Sequence, residues 1–271
     1  MKPLKEYNIY KDNWICYNSK LSSVACSVDY QNNFSDLDRR INELVQSFFH
    51  QWQFVIVSYD KLYHLLQKLN SHPDRNISEI GLSPYDLATE EYEMDFRSHS
   101  YLFIVSIKTY FDLFTCLVDI IQNQTINAEN EMPDFFTYGK RKKDILNNEI
   151  RAEFESLRDQ IQYPWISLIQ DVRNKIVHRG YHLKPKFEFS KSEELKMQVY
   201  KGIDLYVEVT DIQVGKLFND FMIHMPSIED RMADILIKRV SSLNNRLSIM
   251  ASFCYDGLIN NYSYKETYPP E

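Results

Sequence analysis

Three side chains that can transfer a proton or hold a phosphate lie close together in the second half of this 271-residue chain. Arg173, Asn174 and His178 belong to the segment WISLIQDVRNKIVHRG, whose apolar residues recur at helical spacing. Residues four apart share one helix face, so Asn174 and His178 are neighbours, and the long side chain of Arg173 can reach them. Arginine offers paired donors to a phosphate, and histidine exchanges protons near neutral pH. Together they could act on a phosphate ester.

The predicted end of this helix determines the setting of His178. Gly180 has the position of a C-terminal cap, which places His178 in the last turn. The exposed backbone carbonyls there favour a protonated imidazole, which suits a proton donor or a phosphate contact. The same arrangement suits simple helix capping, and an Arg and a His at this spacing often coincide by chance. The spacing alone leaves these interpretations open.

Positive charge is concentrated around these residues. Positions 138 to 186 contain 11 Lys and Arg against 6 Asp and Glu, although the whole chain has a net charge of -7. The overall acidity argues against a general grip on nucleic acid. A local basic strip could still bind a phosphate backbone, or it could be a solvated helix face. The candidate RNA contacts in this strip are Lys140, Arg141, Lys142, Lys143, Lys175 and Arg179.

The string DVRNKIVHRG resembles the signature of the HEPN superfamily of small helical bundles. That signature is an Arg, often followed by a polar residue, and then a His after four to six residues; Arg173, Asn174 and His178 match it. The resemblance extends from about residue 36 to 180. It implies a metal-independent ribonuclease, often a toxin or phage-defence effector, whose composite site forms when two bundles pair. Other members of the superfamily bind RNA, a nucleotide or a protein without catalysis.

The resemblance also implies a role for each residue. RNA would be cleaved by attack of the 2′-hydroxyl on the adjacent phosphate, with His178 as general base or acid and Arg173 stabilising the charged phosphorane. Asn174 would orient His178 or hold a phosphate oxygen. A further acidic residue often comes from an earlier helix, and Asp112 is the candidate. The expected partners are RNA and a second copy of the chain, with an antitoxin or a nucleotide as a possible regulator.

Asp112 is conspicuous because it interrupts the apolar run SYLFIVSIKTYFDLFTCLVDII. This run is apolar around most of a helix circumference, which is typical of a helix in the middle of a bundle. Its polar line consists of Lys108, Asp112, Thr115 and Asp119. The alternative to a catalytic Asp112 is that this line forms the solvated edge of the helix, with Lys108 and Asp112 as a four-apart ion pair.

The surrounding elements predict a mainly α fold. Residues 1–34 have no sustained period and are predicted to form an irregular arm. Residues 35–271 are predicted to form a HEPN-like antiparallel bundle, with a small antiparallel β hairpin or meander at about 184–210, before the last helix. Helices are expected from Ser35 to Asn70, from Ser83–Pro84 to about 124, over about 140–161, over 165–180, and from Asp211 onward with a kink or break at Pro226.

Several function classes lack their motifs. The chain has no HExxH, no Gly-rich phosphate loop and no GxSxG, and its four cysteines show no zinc-ligand spacing. We therefore expect no metal and no cofactor. The N-terminus lacks a signal-peptide pattern and the most apolar stretch is interrupted by charges, so we expect a cytoplasmic protein without a membrane span.

Three functions remain open from the sequence. The first is a HEPN-type endoribonuclease, favoured because both Arg173 and His178 are present. The second is a non-catalytic HEPN module that binds RNA, a nucleotide or a protein, favoured by the acidic overall charge. The third is a purely structural helical protein in which the motif is accidental.

Overall fold

The computed structural model describes residues 1–7, 21, 36–70, 90–123, 133–138, 148–158, 164–187, 195–201 and 210–243. Most of these described residues belong to five helices, namely α1 (Asp36–Asn70), α2 (Glu90–Asn123), α3 (Asn148–Arg158), α4 (Pro164–Arg179) and α5 (Val214–Leu243). A short 3-10 turn, Leu4–Tyr7, precedes them. The prediction of a mainly helical fold is confirmed.

Contacts between aromatic side chains show how the two central helices, α1 and α2, run relative to each other. The ring of Phe48 on α1 stacks on Tyr110 of α2 with 4.2 Å between centroids. Farther along α1, Tyr59 lies beside Phe103, which comes earlier in α2. The contacts therefore advance in opposite directions along the two chains, and α1 and α2 pack as an antiparallel pair. Burial of these rings is a large source of stability.

Helix α5 lies against both of these helices. Phe218 packs on Phe103 at 4.3 Å between ring centroids, and Glu229 accepts a hydrogen bond of 2.7 Å from the Tyr110 hydroxyl. Since both contacts advance together, α5 runs in the same direction as α2. Trp165, at the start of α4, meets Phe221 of α5 edge to face. This contact attaches the helix that carries Arg173 and His178 to the core.

Helix α2 is the central helix, as its apolar circumference predicts. Every residue from 113 to 121 is buried. Most of its polar line is buried as well, with Lys108 only 2% exposed and Asp119 only 7% exposed, whereas the Asp112 side chain is 24% exposed. The polar line is therefore not a solvated helix edge, although Lys108 and Asp112 do form the four-apart ion pair that this alternative includes. Neighbouring elements cover this side of α2, and periodicity within one helix cannot reveal them.

A three-stranded antiparallel sheet separates α4 from α5 along the chain. Its strands are β1 (Tyr181–Phe187), β2 (Leu195–Lys201) and β3 (Thr210–Gln213), in that spatial order. The register pairs Tyr181 with Lys201 and Phe187 with Leu195. Tyr181 and Leu183 are both buried, two residues apart on one face of β1. Because β1 starts directly after Gly180, the sheet begins beside the end of α4.

The last helix differs from its prediction in two ways. It begins at Val214 and not at Asp211, because Asp211 pairs with Gln198 in the sheet. It also continues through Pro226 without a break. A proline inside a helix removes one backbone hydrogen bond. The fully buried neighbours Met225 and Ile228 provide packing that offsets this loss.

Several predicted features lie outside the described residues. They are the helix start at Ser83–Pro84, the basic run from Lys140 to Lys143, parts of the β region predicted at about 184–210 (188–194 and 202–209) and most of the N-terminal arm. The first residues of that arm are anchored. Leu4 is buried, and the Tyr7 hydroxyl donates a 2.9 Å hydrogen bond to the Asn219 side chain on α5.

The buried Glu229 carboxyl makes stability depend on pH. Burial raises the pKa of Glu229 to about 8 from its ordinary 4.5, with the Tyr110 hydrogen bond acting in the opposite direction. Between these two pH values the folded chain holds a proton that the unfolded chain has released. The free energy of unfolding should therefore fall as pH rises through this window, by at most about 1.4 kcal/mol per pH unit from this one group.

The variant Glu229→Gln should lack this contribution. Urea unfolding at pH 5 and pH 8 should show a smaller loss of stability for the variant than for the wild type. Tyr110→Phe is the control, because it removes the hydrogen bond and leaves the Glu229 carboxyl in place. The free energy of unfolding of this variant should still decline as pH rises. Equal declines for wild type and Glu229→Gln would contradict the prediction.

Candidate active site

Helix α4 presents the three motif residues on the side away from the core. Trp165, Ile169 and Val172 are buried, and they form the inward stripe that the sequence predicts. Arg173 and Asn174 are half-buried and His178 is exposed in the last turn. The amphipathic spacing of the helix therefore leaves the imidazole open to a ligand while the arginine lies closer to the protein surface.

Arg173 contacts both other members of the motif. Its Nη1 lies 2.6 Å from Nε2 of His178 and donates a 3.2 Å hydrogen bond to Oδ1 of Asn174. A guanidinium only donates, so Nε2 of His178 must accept, and the neutral ring carries its proton on Nδ1.

The hydrogen bond between Asn174 and Arg173 bears on the two roles that the resemblance implies for Asn174. The resemblance implies either that Asn174 orients His178 or that it holds a phosphate oxygen. In the structure its side-chain oxygen accepts from Arg173. Asn174 therefore acts on the position of the guanidinium, which in turn contacts the imidazole. The three side chains form one connected group, as their spacing on the helix predicts.

Gly180 ends the helix as predicted. Its φ of +67° lies in the left-handed region, which glycine adopts without a steric penalty. An added Cβ would meet nothing within 4 Å, so only the backbone resists substitution. We expect Gly180→Ala to cost about 1 kcal/mol of stability and Gly180→Asn to cost less. Thermal unfolding of the two variants tests this, and an unchanged midpoint for Gly180→Ala would contradict it.

Gln170 is a residue that the sequence prediction missed. Its Oε1 and the Nε of Arg173 are buried atoms without a hydrogen-bond partner among the described residues. Gln170 lies three residues before Arg173 and four before Asn174, so it shares their side of α4. The helical spacing could have identified it, because it extends the polar face by one turn. Within the described part of the chain, an unpaired acceptor and an unpaired donor therefore lie on the same side of α4 as the Arg173–His178 contact.

The candidate RNA contacts have different environments. Lys175 lies 2.9 Å from Asp171 and is 19% exposed, so a carboxylate already offsets its charge. Arg179 is exposed at the end of α4. Of the basic strip, these two residues and Arg173 lie on the same helix as His178. Lys140, Arg141, Lys142 and Lys143 lie outside the described residues.

Asp112 belongs to a different cluster. It forms an ion pair with the buried Lys108, and its Oδ1 accepts a 3.0 Å hydrogen bond from the backbone amide of Phe135. Lys108 also contacts Asp134 at 2.8 Å. No contact joins Asp112 to Arg173 or His178 within the part of the chain that the structure describes. These contacts attach residues 133–138 to α2, which is a structural role.

The two carboxylates of this cluster respond differently to their surroundings. Burial raises the pKa of Asp112 above its ordinary value, and this effect exceeds the opposing charge of Lys108. Burial alone would also raise the pKa of Asp134. There, however, the hydrogen bond and charge of Lys108, together with the amides of Phe136 and Thr137, lower the pKa below its ordinary value. Asp134 is therefore the more firmly ionised partner of Lys108.

None of the His, Cys, Asp and Glu side chains in the described segments form a group of three that could hold a metal ion. None of the helices described here has both the length and the apolar character needed to cross a membrane. Comparison of the chain with protein-family models, with curated proteins and with solved structures found no match.

Proposed function

We propose that this chain is a metal-independent endoribonuclease of the HEPN type that acts as a homodimer. One observation carries the proposal: Nη1 of Arg173 lies 2.6 Å from Nε2 of His178 at the exposed end of α4. A phosphate-binding cation and a proton acceptor thus occur in direct contact at a solvent-accessible position. In this proposal the five described helices form a HEPN-like bundle, with the three-stranded sheet inserted before α5.

The chemistry follows from the two side chains. The 2′-oxygen of RNA attacks the adjacent phosphorus and the bond from phosphorus to the 5′ oxygen breaks, which leaves a 2′,3′-cyclic phosphate and a 5′-hydroxyl. His178 accepts the proton of the 2′-hydroxyl at Nε2, and the protonated His178 of a second copy returns one to the 5′ oxygen. Arg173 donates to the phosphorane oxygens while their negative charge develops.

A second copy fits the charge distribution of the site. Each α4 ends with Arg173, Lys175, His178 and Arg179, whereas the chain as a whole has a net charge of -7. Two such ends facing one another would create a local positive groove for a phosphate backbone on an acidic protein. Because so few cations neutralise only a few phosphates, the affinity for RNA should fall only moderately as the salt concentration rises.

Incubation of the purified chain with total RNA and with tRNA in EDTA tests this function. The expected result is cleavage that leaves cyclic-phosphate ends. The double variant Arg173→Ala/His178→Ala, prepared in the same way, measures any contaminating ribonuclease. Equal cleavage by the wild type and the double variant would show that Arg173 and His178 account for none of it, and no cleavage by the wild type would overturn the enzyme proposal.

A non-catalytic RNA-binding module is the second candidate. The contact between Arg173 and His178 also favours this candidate. In a neutral His178 ring with its proton on Nδ1, Nε2 is the only nitrogen that can accept a proton, and Arg173 occupies it. If this contact persisted on RNA, His178 could bind but could not act as a base. RNA binding by the wild type without turnover, lost in the double variant, would support this candidate.

A further inference from the structure

We propose that Arg173 and His178 form an exchangeable pair, in which Arg173 blocks the His178 base in the free chain and an incoming phosphate releases it. This inference rests on the proposed function, because it describes how the same site is regulated by its substrate. The ligand class is a phosphate mono- or diester, represented here by inorganic phosphate as a probe.

The first step is the identity of the donor. Arg173 Nη1 lies 2.6 Å from Nε2 of His178, and a guanidinium has no lone pair to offer. The hydrogen bond therefore uses the lone pair of Nε2, which is the atom that must accept the proton of a 2′-hydroxyl. While this contact holds, the ring cannot act as a base.

The second step is the competition for Arg173. Among the described residues its Nη1 contacts only neutral acceptors, the Asn174 amide oxygen and the His178 ring. No carboxylate of the described segments contacts this guanidinium, in contrast to Arg239 and Arg151, which pair with Glu153 and Glu155. Charge-assisted hydrogen bonds to an anion are about twice as strong as bonds between neutral groups. A phosphate should therefore displace His178 from Arg173.

The third step is the geometry of the exchange. Arg173 is half-buried and Asn174 holds it at Oδ1, whereas His178 is exposed in the last turn before Gly180. The guanidinium is thus the more constrained partner and the imidazole the freer one. When a phosphate binds Arg173, Nε2 of His178 becomes available beside that same phosphate. Occupation of the site and activation of the base are then one event.

The test measures the protonation pattern of the His178 ring by nitrogen NMR of the full chain with ¹⁵N-labelled histidine. His178→Gln identifies the signal among the seven histidines. Without phosphate, the neutral ring should carry its proton on Nδ1. When inorganic phosphate is added at constant ionic strength, Arg173 should bind the phosphate and no longer donate to Nε2 of His178. The Nε2 signal should therefore change. Arg173→Ala should alter that signal before any phosphate is added and should abolish the response.

Two further variants keep the test decisive. Arg173→Lys retains the positive charge without the paired donors and should bind phosphate more weakly than the wild type. Arg151→Ala removes an exposed arginine of α3 that is paired with Glu155, and it should respond as the wild type does. Loss of the Arg173 contact should weaken phosphate binding by roughly tenfold or more. Circular dichroism establishes that each variant is folded.

Two results would overturn the proposal. The first is a His178 signal that is the same in wild type and Arg173→Ala without phosphate. The second is a phosphate response that persists in Arg173→Ala. The outcome is separable from the proposed function: phosphate exchange without RNA cleavage would overturn only the enzyme, and cleavage with an unresponsive His178 signal would overturn only the exchange.

Discussion

His178→Gln is expected to lower the rate of RNA cleavage by about 10²–10⁴-fold, the usual contribution of a positioned general acid or base. Glutamine keeps a polar side chain of moderate length but cannot accept and return a proton. Because the His178 side chain is exposed, the substitution removes little packing and the free energy of unfolding should change by less than about 0.5 kcal/mol. The loss should appear in kcat, since in the proposed mechanism the His178 ring acts on the reacting proton.

Arg173→Ala should lower cleavage by about 10²–10³-fold, because in the proposed mechanism Arg173 is the donor to the phosphorane oxygens. Arg173→Lys should recover part of this loss, since lysine keeps the charge and loses the paired donors. The double variant should be scarcely worse than the more impaired single variant, because the two residues act as one unit. The measurement is the initial rate of cleavage of a defined RNA in EDTA.

Arg151→Ala is the matched control for these variants. Arg151 is an exposed arginine on α3 and pairs with Glu155 at 3.0 Å, away from the motif helix. Its rate should equal that of the wild type. A His178→Gln variant that cleaves RNA at the wild-type rate would refute the assignment of the catalytic base, and an inactive Arg151→Ala would show that the assay responds to general loss of positive charge.

Lys108→Met is expected to destabilise the fold by about 3 kcal/mol, because it leaves the carboxylates of Asp112 and Asp134 without their shared cation. Lys108 is 2% exposed, and the two carboxylates are 24% and 30% exposed. Methionine fills a similar volume, so the loss is mainly electrostatic. For a chain of this size the unfolding midpoint should fall by roughly 6–12 °C.

The triple variant Lys108→Met/Asp112→Asn/Asp134→Asn distinguishes lost charge from lost packing. It removes both unpaired charges together with the cation and should recover part of the stability of the wild type. The pH dependence gives a second readout. The lowered pKa of Asp134 stabilises the fold above the ordinary pKa of 3.8, and this contribution is lost as pH falls through the lower folded-state value.

Lys108→Met should remove that contribution of Asp134, so the stability difference between wild type and variant should narrow in acid. A difference that stays constant from neutral to acidic pH would contradict the electrostatic explanation. An unfolding midpoint equal to that of the wild type would show that the cluster adds no net stability.

Local patterns predicted the helices that are regular along their whole length. Ser35 before the apolar repeat indicates where α1 begins, and the structure starts the helix at Asp36. The apolar circumference of the second helix predicted its central position, and burial from 113 to 121 confirms it. Gly180 predicted the end of α4, and its positive φ confirms it. These features depend on a residue and its neighbours within a few turns.

The errors have a common physical cause. Lys108 and Asp112 look like a surface ion pair because they are four residues apart, but residues 133–138 cover them. Asp211 looks like a helix start until β2 pairs with its strand, and Pro226 looks like a break until the buried residues around it are considered. Each outcome depends on a segment distant in the chain, whose contact energy exceeds the local preference.

The sequence by itself determined the helical class, the course of α4 and the shared face of Asn174 and His178, because helical periodicity places residues four apart together; it also placed Arg173 within reach of both. Only the tertiary structure decided which groups these side chains contact. It directs Arg173 onto Nε2 of His178, assigns Asn174 to the arginine and withdraws Asp112 into the Lys108 cluster. Side-chain pairing is decided by competition among all nearby donors and acceptors, and that set exists only after distant segments have packed.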